Sequence, residues 1–286
     1  MNLKKLVSLA LGSSITLATI GSSSANAVLL VNTTNNATTL GNTILGTGIT
    51  ATNFVYTGGA TASGTFTGGN SAGIGIDKGI ILTSGNANLA PGPNSSSSAG
   101  VNNGTAGDAQ LSALASGGTT NNASILSFDF TSTSSDLFFN FVFASEEYNE
   151  FVGSSFNDVF GFFLDGNNIA LIPGTTTPVT INNVNLGSNS GFYINNSPGS
   201  ANIQYDGFTT VLTAKTLGLA PGNHTIKLAI ADVGDSILDS AVFLEAGTFS
   251  DTDPTAVPEP LTIVGTLIGA TVAFRTRQRL KATNKL

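Results

Sequence analysis

Residues 141–166 have the sequence FVFASEEYNEFVGSSFNDVFGFFLDG, two aromatic-rich stretches joined by a loop that carries carboxylates. Nowhere else in the chain are acids and aromatics so dense, and Phe128, Phe130, Phe138 and Phe139 extend the aromatic run. Aromatic and β-branched runs bounded by turn residues are typical of strands. We therefore expect this segment to supply the central strands of the core, with a candidate site in its loop.

The rest of the chain predicts many more short strands and little helix. Strand patterns cover residues 49–56, 124–131, 137–144, 159–164, 169–172, 179–186, 209–215, 224–231 and 240–249. Residues 38–45 and 109–115 have the spacing of short helices, the second capped by Asp108. Residues 28–36 and 84–104 look like a polar lead-in and a loop. Many short strands between Gly and Asn turns predict an all-β fold, an antiparallel β-sandwich or jelly roll.

The amino terminus predicts a secretory signal peptide over residues 1–27. Lys4 and Lys5 precede an uncharged, mostly apolar stretch, and Ala25-Asn26-Ala27 fits a small-x-small cleavage site. We expect signal peptidase to cut after Ala27, so that the mature chain begins at Val28.

The carboxyl terminus predicts a short transmembrane helix followed by a basic tail. Fourteen uncharged residues, 261–274, would span about 21 Å as a helix, against a hydrocarbon core of about 30 Å. The tail, residues 275–286, includes Arg275 and Arg277, and an excess of basic residues stays in the cytoplasm. The preceding domain would then lie outside the inner membrane.

This terminus resembles the PEP-CTERM sorting signal, in which Pro258-Glu259-Pro260 precedes an apolar helix and an arginine cluster. The resemblance implies that an exosortase recognises the tripeptide, cuts nearby and passes the protein outward. Residues 257–281 would form this signal, joined by a linker over residues 251–256.

Between the two ends, several segments resemble the choice-of-anchor L domain, namely residues 80–85, 128–130, 141–166, 205–209 and 226–247. The resemblance covers about residues 40–249, and the predicted domain is 28–250. It implies an exported bacterial domain attached to the cell surface or extracellular matrix by one of several anchors. It implies no defined activity.

The composition excludes several kinds of site and partner. The chain has no cysteine, which excludes disulfides, thiolate metal sites and cysteine nucleophiles. Between the two predicted terminal signals, acids greatly outnumber the three bases, Lys78, Lys215 and Lys227. Nucleic acid requires a basic footprint, so we expect no nucleic-acid partner.

Two acidic groups are candidates for a Ca²⁺ site, because calcium takes six to eight oxygen ligands from flexible loops. Their members are Glu146, Glu147 and Asp158 in the aromatic segment, and Asp232, Asp235 and Asp239 near the end of the domain. The spacing is not that of an EF-hand. The alternative is that these acids are solvated or make turn and cap hydrogen bonds.

The leading functional hypothesis is a non-enzymatic surface or matrix domain with an adhesive, polysaccharide-contacting or structural role. We assign no catalytic residue. The alternative is a carbohydrate-active hydrolase in which Glu146 or Glu147 acts with Asp158 or Asp235, since glycoside hydrolysis uses two carboxyl groups flanking the bond. Aromatic side chains that could stack on a sugar are Tyr148, Phe151, Tyr193 and Tyr205.

Overall fold

The computed structural model of the protein describes residues 28–197 and 199–254. These residues form an all-β fold with few helices, as the sequence predicts. The α-helices are α1 (Ala37–Ile44), α2 (Gly69–Ala72) and α3 (Ala109–Leu114). Short 3₁₀ turns cover Ala87–Leu89 and Ser190–Phe192. As expected, the Asp108 carboxylate caps α3 by accepting hydrogen bonds from the amides of Gln110 and Leu111.

The strands form two antiparallel sheets, and the chain passes between them several times. In chain order they are β1 (Leu30–Thr33), β2 (Ile49–Thr57), β3 (Ser63–Thr67), β4 (Lys78–Thr83), β5 (Thr120–Ser132), β6 (Asp136–Ser145), β7 (Val159–Leu164), β8 (Asn167–Asn168), β9 (Tyr193–Asn195), β10 (Gly207–Thr209), β11 (Leu212–Leu217), β12 (His224–Val233) and β13 (Ser240–Glu245). The larger sheet has the order β1-β3-β4-β13-β6-β10-β9, with β11 also paired to β6. The smaller sheet has the order β2-β5-β12-β7-β8.

The main core lies between the sheets and is built largely of phenylalanine. Side chains alternate across a strand, so Phe139, Phe141 and Phe143 of β6 share one face and pack against β7. The Phe143 and Phe160 rings stack at 4.8 Å, and Phe141 meets Phe162 edge to face at 5.0 Å. The aromatic segment is therefore central to the core, as the sequence predicts.

The outer faces of the central strands are also covered. On the larger sheet, Val142 and Phe243 pack with residues outside the strands that include Ala87 of a 3₁₀ turn and Ile203. On the smaller sheet, Phe163 packs with Leu111 of α3. Burial on both faces explains why the sequences of these strands are continuously apolar rather than alternating between apolar and polar residues.

Some sequence-based strand predictions are wrong. Residues 179–186 form turns, although Val179, Ile181 and Val184 are buried in the core. Residues 169–172 contain only an isolated bridge, between Leu171 and Pro178. Conversely, residues 28–36, predicted as a polar lead-in, contain β1, an edge strand that needs only one partner. The strand predicted at residues 209–215 is divided between β10 and β11.

In the part of the chain that the structure describes, no helix combines the length and hydrophobicity needed to cross a membrane. The residues of both predicted terminal signals lie outside the described ranges. They are Ala25, Ala27, Pro258, Glu259, Pro260, Arg275 and Arg277.

Candidate functional site: the acidic end of the sandwich

Strand pairing brings the predicted acidic residues to one end of the sandwich. Ser145, the last residue of β6, is opposite Ser240, the first of β13. In the smaller sheet, the end of β12 lies beside the start of β7, where Ala231 is opposite Val159. Acids within or next to these strand ends therefore gather together. We call this group the acidic end: Glu146, Glu147, Asp158, Asp206, Asp232, Asp235 and Asp239.

Asp158 ties the two sheets together within the acidic end. Its Oδ2 accepts a hydrogen bond from Ser240 Oγ at 2.7 Å, and its Oδ1 accepts one from the Val233 amide at 2.9 Å. Ser240 Oγ also lies 2.8 Å from Ser145 Oγ. Asp158 is fully buried, so these bonds satisfy a carboxylate that water does not reach.

One part of the acidic end contains Glu147, Asp232 and Asn122, which are exposed by only 1%, 0% and 1%. Asn122 Nδ2 donates to Asp232 Oδ2 at 2.9 Å. The other oxygens, Glu147 Oε2, Asp232 Oδ1 and Asn122 Oδ1, are buried and accept no hydrogen bond from the residues that the structure describes. Three buried acceptors are thus left without a donor from the described residues.

A second part contains Glu146, Asp206 and Asp239. Asp239 is satisfied by the amides of Val101, at 3.0 Å from Oδ1, and Asn86, at 3.2 Å from Oδ2. Glu146 Oε1 and Asp206 Oδ2 are buried without a donor among the described residues. Glu146 and Glu147 therefore lie in different parts of the acidic end, although they are consecutive in the sequence.

Burial and mutual repulsion raise the pKa values of the two glutamates. Burial is the main cause for both. For Glu146, the second cause is the negative charge of Asp206. For Glu147, the second cause is the negative charge of Asp235, followed by that of Asp232. The pKa of each rises to about 8. The two side chains therefore have different acidic neighbours.

The buried aspartates respond in the same way. Burial raises the pKa of Asp232 to about 7, although the Ser84 hydroxyl and Asn122 amide partly offset it, and raises that of Asp239 to about 6. The pKa of Asp158 lies well above its usual value, first because of burial and then because of the charges of Asp232 and Glu147. Each ionised acid thus opposes ionisation of its neighbours.

Basic side chains of the described residues lie elsewhere. Lys227 bonds Asp108 at 2.6 Å, and His224 bonds Asp165 at 2.6 Å. Lys78 and Lys215 are exposed. Among the described residues, no Lys, Arg or His side chain forms an ion pair with the acidic end. Buried carboxylates without a cation are costly in their ionised form.

The structure brings together five of the six predicted site acids as buried groups, whereas Asp235 is partly exposed at the rim. Sequence reasoning missed Asp206 and Asn122. Asp206 lies within residues 205–209, one of the segments that resemble the family domain, and Asn122 lies two residues before the predicted strand at residues 124–131. In residues 28–197 and 199–254, no three acidic or histidine side chains are already positioned to hold a metal ion.

The expectation that Tyr148, Tyr193 and Tyr205 could stack on a sugar is wrong, because their rings are buried in the interior. Tyr148, Tyr193 and Tyr205 are exposed by 0%, 8% and 2%. Tyr148 Oη donates to the Val184 carbonyl at 2.7 Å, and its ring lies 4.7 Å from that of Tyr193. Phe151 is partly exposed and packs edge to face on Phe156.

The fold and the site define a β-sandwich domain whose acids are enclosed at one end rather than arranged along an open cleft. The chain matches the model of the Choice-of-anchor L domain over residues 29–250 and belongs to that family. This membership indicates a surface or exported protein. No curated protein and no solved structure matches the chain.

Proposed function

We propose that this chain is a non-enzymatic surface or extracellular-matrix protein, exported through signal peptidase and an exosortase. Its precursor is anchored in the inner membrane by residues 261–274. The observation that carries the proposal is the order of segments: the family domain ends at residue 250, and the Pro258-Glu259-Pro260 motif follows. A short linker therefore separates the β-sandwich from the sorting signal.

Burial of the acids favours a binding or structural role over hydrolysis. A glycosidase needs two carboxyl groups that reach opposite sides of one glycosidic bond. Glu146 and Glu147 are each exposed by only 1%, and Asp158 not at all. A sugar could reach them only if the surrounding strand ends moved apart.

Contact with polysaccharide is supported by a polar cavity that borders the acidic end, where Asn94 Nδ2 donates to Asp206 Oδ1 at 2.6 Å. Its volume is about 370 Å³, and its lining includes Ser71, Asn94, Ser200 and Asn202. Amide and hydroxyl groups can exchange hydrogen bonds with sugar hydroxyls. We propose that this cavity contributes to adhesion to extracellular polysaccharide.

The export route is tested by expressing the full chain in a bacterium with an active exosortase. We expect the wild-type protein at the surface or in the medium in a trimmed form, and Glu259→Ala retained in the inner membrane. Glu150→Ala, which changes an exposed acid of the domain, should be delivered normally. Normal delivery and trimming of Glu259→Ala would contradict the proposed route.

The adhesive role is tested with a glycan array, followed by a hydrolysis assay on each glycan bound. We expect binding without turnover, weakened at least tenfold in Asn202→Ala and unchanged in Asn167→Ala, an exposed residue outside the cavity. Turnover that disappears in Glu147→Gln would support the hydrolase instead. No binding to any glycan would leave the structural role and remove the adhesive one.

A further inference from the structure

We propose that Glu147, Asp158, Asp232 and Asn122 form a binding site for one Ca²⁺ ion, which closes the acidic end of the sandwich. The four residues come from different parts of the fold. Asn122 lies in β5, Asp232 in β12, Glu147 just after β6 and Asp158 just before β7. An ion held by all four would join the ends of both sheets.

Buried oxygens that lack a hydrogen-bond donor support this inference more strongly than the number of acidic residues does. Asn122 is neutral and almost wholly buried, and its amide nitrogen is already bonded to Asp232. Its Oδ1 nevertheless accepts no hydrogen bond from the described residues, and neither do Asp232 Oδ1 and Glu147 Oε2. Buried acceptors without a donor cost free energy. A cation satisfies acceptors from a carboxylate and an amide alike.

The chemistry of these ligands favours calcium. Every proposed ligand atom is an oxygen, which suits hard cations such as Ca²⁺ or Mg²⁺ rather than softer metals. Calcium accepts irregular sets of carboxylate and amide oxygens, whereas magnesium demands near-octahedral geometry and retains water. The histidine of this domain, His224, is engaged with Asp165 and the Ala220 carbonyl and is not available to the site.

Binding requires the acids to move closer together, because no three of the described acids are already positioned around an ion. Among the residues that the structure describes, Glu147 Oε2 and Asp232 Oδ1 accept no hydrogen bond, whereas Asp232 Oδ2 must keep the hydrogen bond from Asn122 Nδ2 as the carboxylate moves. Asp158 can keep its bonds to Ser240 and Val233 while a further lone pair faces the ion. Asp235, partly exposed at the rim, places solvent beside the site.

Electrostatics agree with this assignment. Glu147, Asp158 and Asp232 are all buried, and among the described residues no Lys, Arg or His side chain forms an ion pair with them. Such groups are stabilised by gaining positive charge, either as protons or as a cation. A divalent ion supplies it while the ligands stay ionised, which is the form that binds metal.

The test compares thermal unfolding of the purified full-length protein in Ca²⁺, in Mg²⁺ and in chelator, with calorimetric titration of Ca²⁺. At a calcium concentration one hundred times Kd, we expect Tm to rise by about 5 to 10 °C. An equal concentration of Mg²⁺ should raise it less. Asp232→Asn preserves the side-chain shape and should weaken Ca²⁺ binding at least tenfold.

Controls make each outcome decisive. Asp77→Asn, at an exposed acid outside the acidic end, should bind Ca²⁺ as the wild type does. Glu147→Gln provides a second isosteric variant if Asp232→Asn does not fold. Equal Tm values in Ca²⁺ and chelator, with no calorimetric binding, would overturn the proposal. Equal losses in Asp77→Asn and Asp232→Asn would also overturn it, because binding would then reflect the overall negative charge.

Discussion

Ser240 Oγ donates a hydrogen bond of 2.7 Å to Asp158 Oδ2, and this contact connects the first residue of β13 in the larger sheet with the residue preceding β7 in the smaller one. Both residues are fully buried. The bond therefore fastens the two sheets to each other at the end of the sandwich where the acids gather.

Replacing Ser240 with alanine should destabilise the fold by about 1 to 3 kcal/mol, because it leaves a buried carboxylate oxygen without its donor. Urea unfolding of the two proteins measures the difference. Ser135→Ala, at an exposed position, should unfold within about 0.5 kcal/mol of the wild type. Equal stabilities for the two variants would show that the Ser240 bond does not hold the sheets together.

Gly85 should not tolerate alanine, since the position of an added Cβ is already taken by the Asp239 carboxylate. We expect a loss of about 1 to 3 kcal/mol from the resulting overlap. Gly191→Ala is the matched control, because a Cβ there meets no atom within 4 Å. Thermal unfolding of both variants checks the prediction, which fails if Gly85→Ala is as stable as Gly191→Ala.

Phe143 should be one of the most sensitive core positions. Its ring stacks on Phe160 at 4.8 Å and is fully buried. Phe143→Ala should cost about 3 to 5 kcal/mol, and Phe143→Leu less, because a smaller cavity remains. Leu217→Ala, at a residue that is 62% exposed, should have little effect on the urea midpoint. A loss for Phe143→Ala no larger than that of Leu217→Ala would contradict the described core.

The pair His224 and Asp165 should make stability depend on pH. Burial acts to lower the pKa of His224, but the hydrogen bonds to Asp165 and the Ala220 carbonyl outweigh it and raise the pKa. Burial acts to raise the pKa of Asp165, but the Thr225 amide and His224 outweigh it and lower the pKa. Both ring nitrogens face oxygen acceptors, an arrangement that only the protonated ring satisfies fully.

The direction of the pH dependence of stability follows from these two pKa shifts. A raised His224 pKa adds stability that is complete below about pH 6.5 and is lost as pH rises through the folded-state value. A lowered Asp165 pKa adds stability above about pH 4, which is lost on further acidification. The Tm difference between wild type and His224→Gln should therefore be largest between about pH 4 and pH 6.5. A pH-independent difference would contradict this pairing.

Much of the fold was predictable because the central strands have a strong local pattern. Residues 137–144 and 159–164 alternate or repeat large apolar side chains, and the observed strands β6 and β7 nearly coincide with them. The wrong prediction at residues 179–186 has a clear reason. Val179, Ile181 and Val184 are buried like strand residues, but the chain satisfies its polar groups through turns, as when Asn185 Nδ2 donates to the Ile181 carbonyl.

The site was predictable only in part, because its composition depends on strand order. Acids that follow or precede strands are visible in the sequence, but their meeting requires β6 to pair with β13 and β12 with β7. Asn122 could not be assigned, since its approach to Asp232 depends on the pairing of β5 with β12 across 110 positions of sequence. Burial of the tyrosines likewise follows from long-range packing.

The position of β13 has a consequence for how the chain is exported. This strand, the last of the domain, lies between β4 and β6 and pairs with both. A chain that crosses the membrane amino terminus first would expose unpaired edges on β4 and β6 until residues 240–245 emerge. Pairings between distant segments form slowly. On the proposed export route, we therefore expect the larger sheet to remain incomplete until residues 240–245 have crossed the membrane.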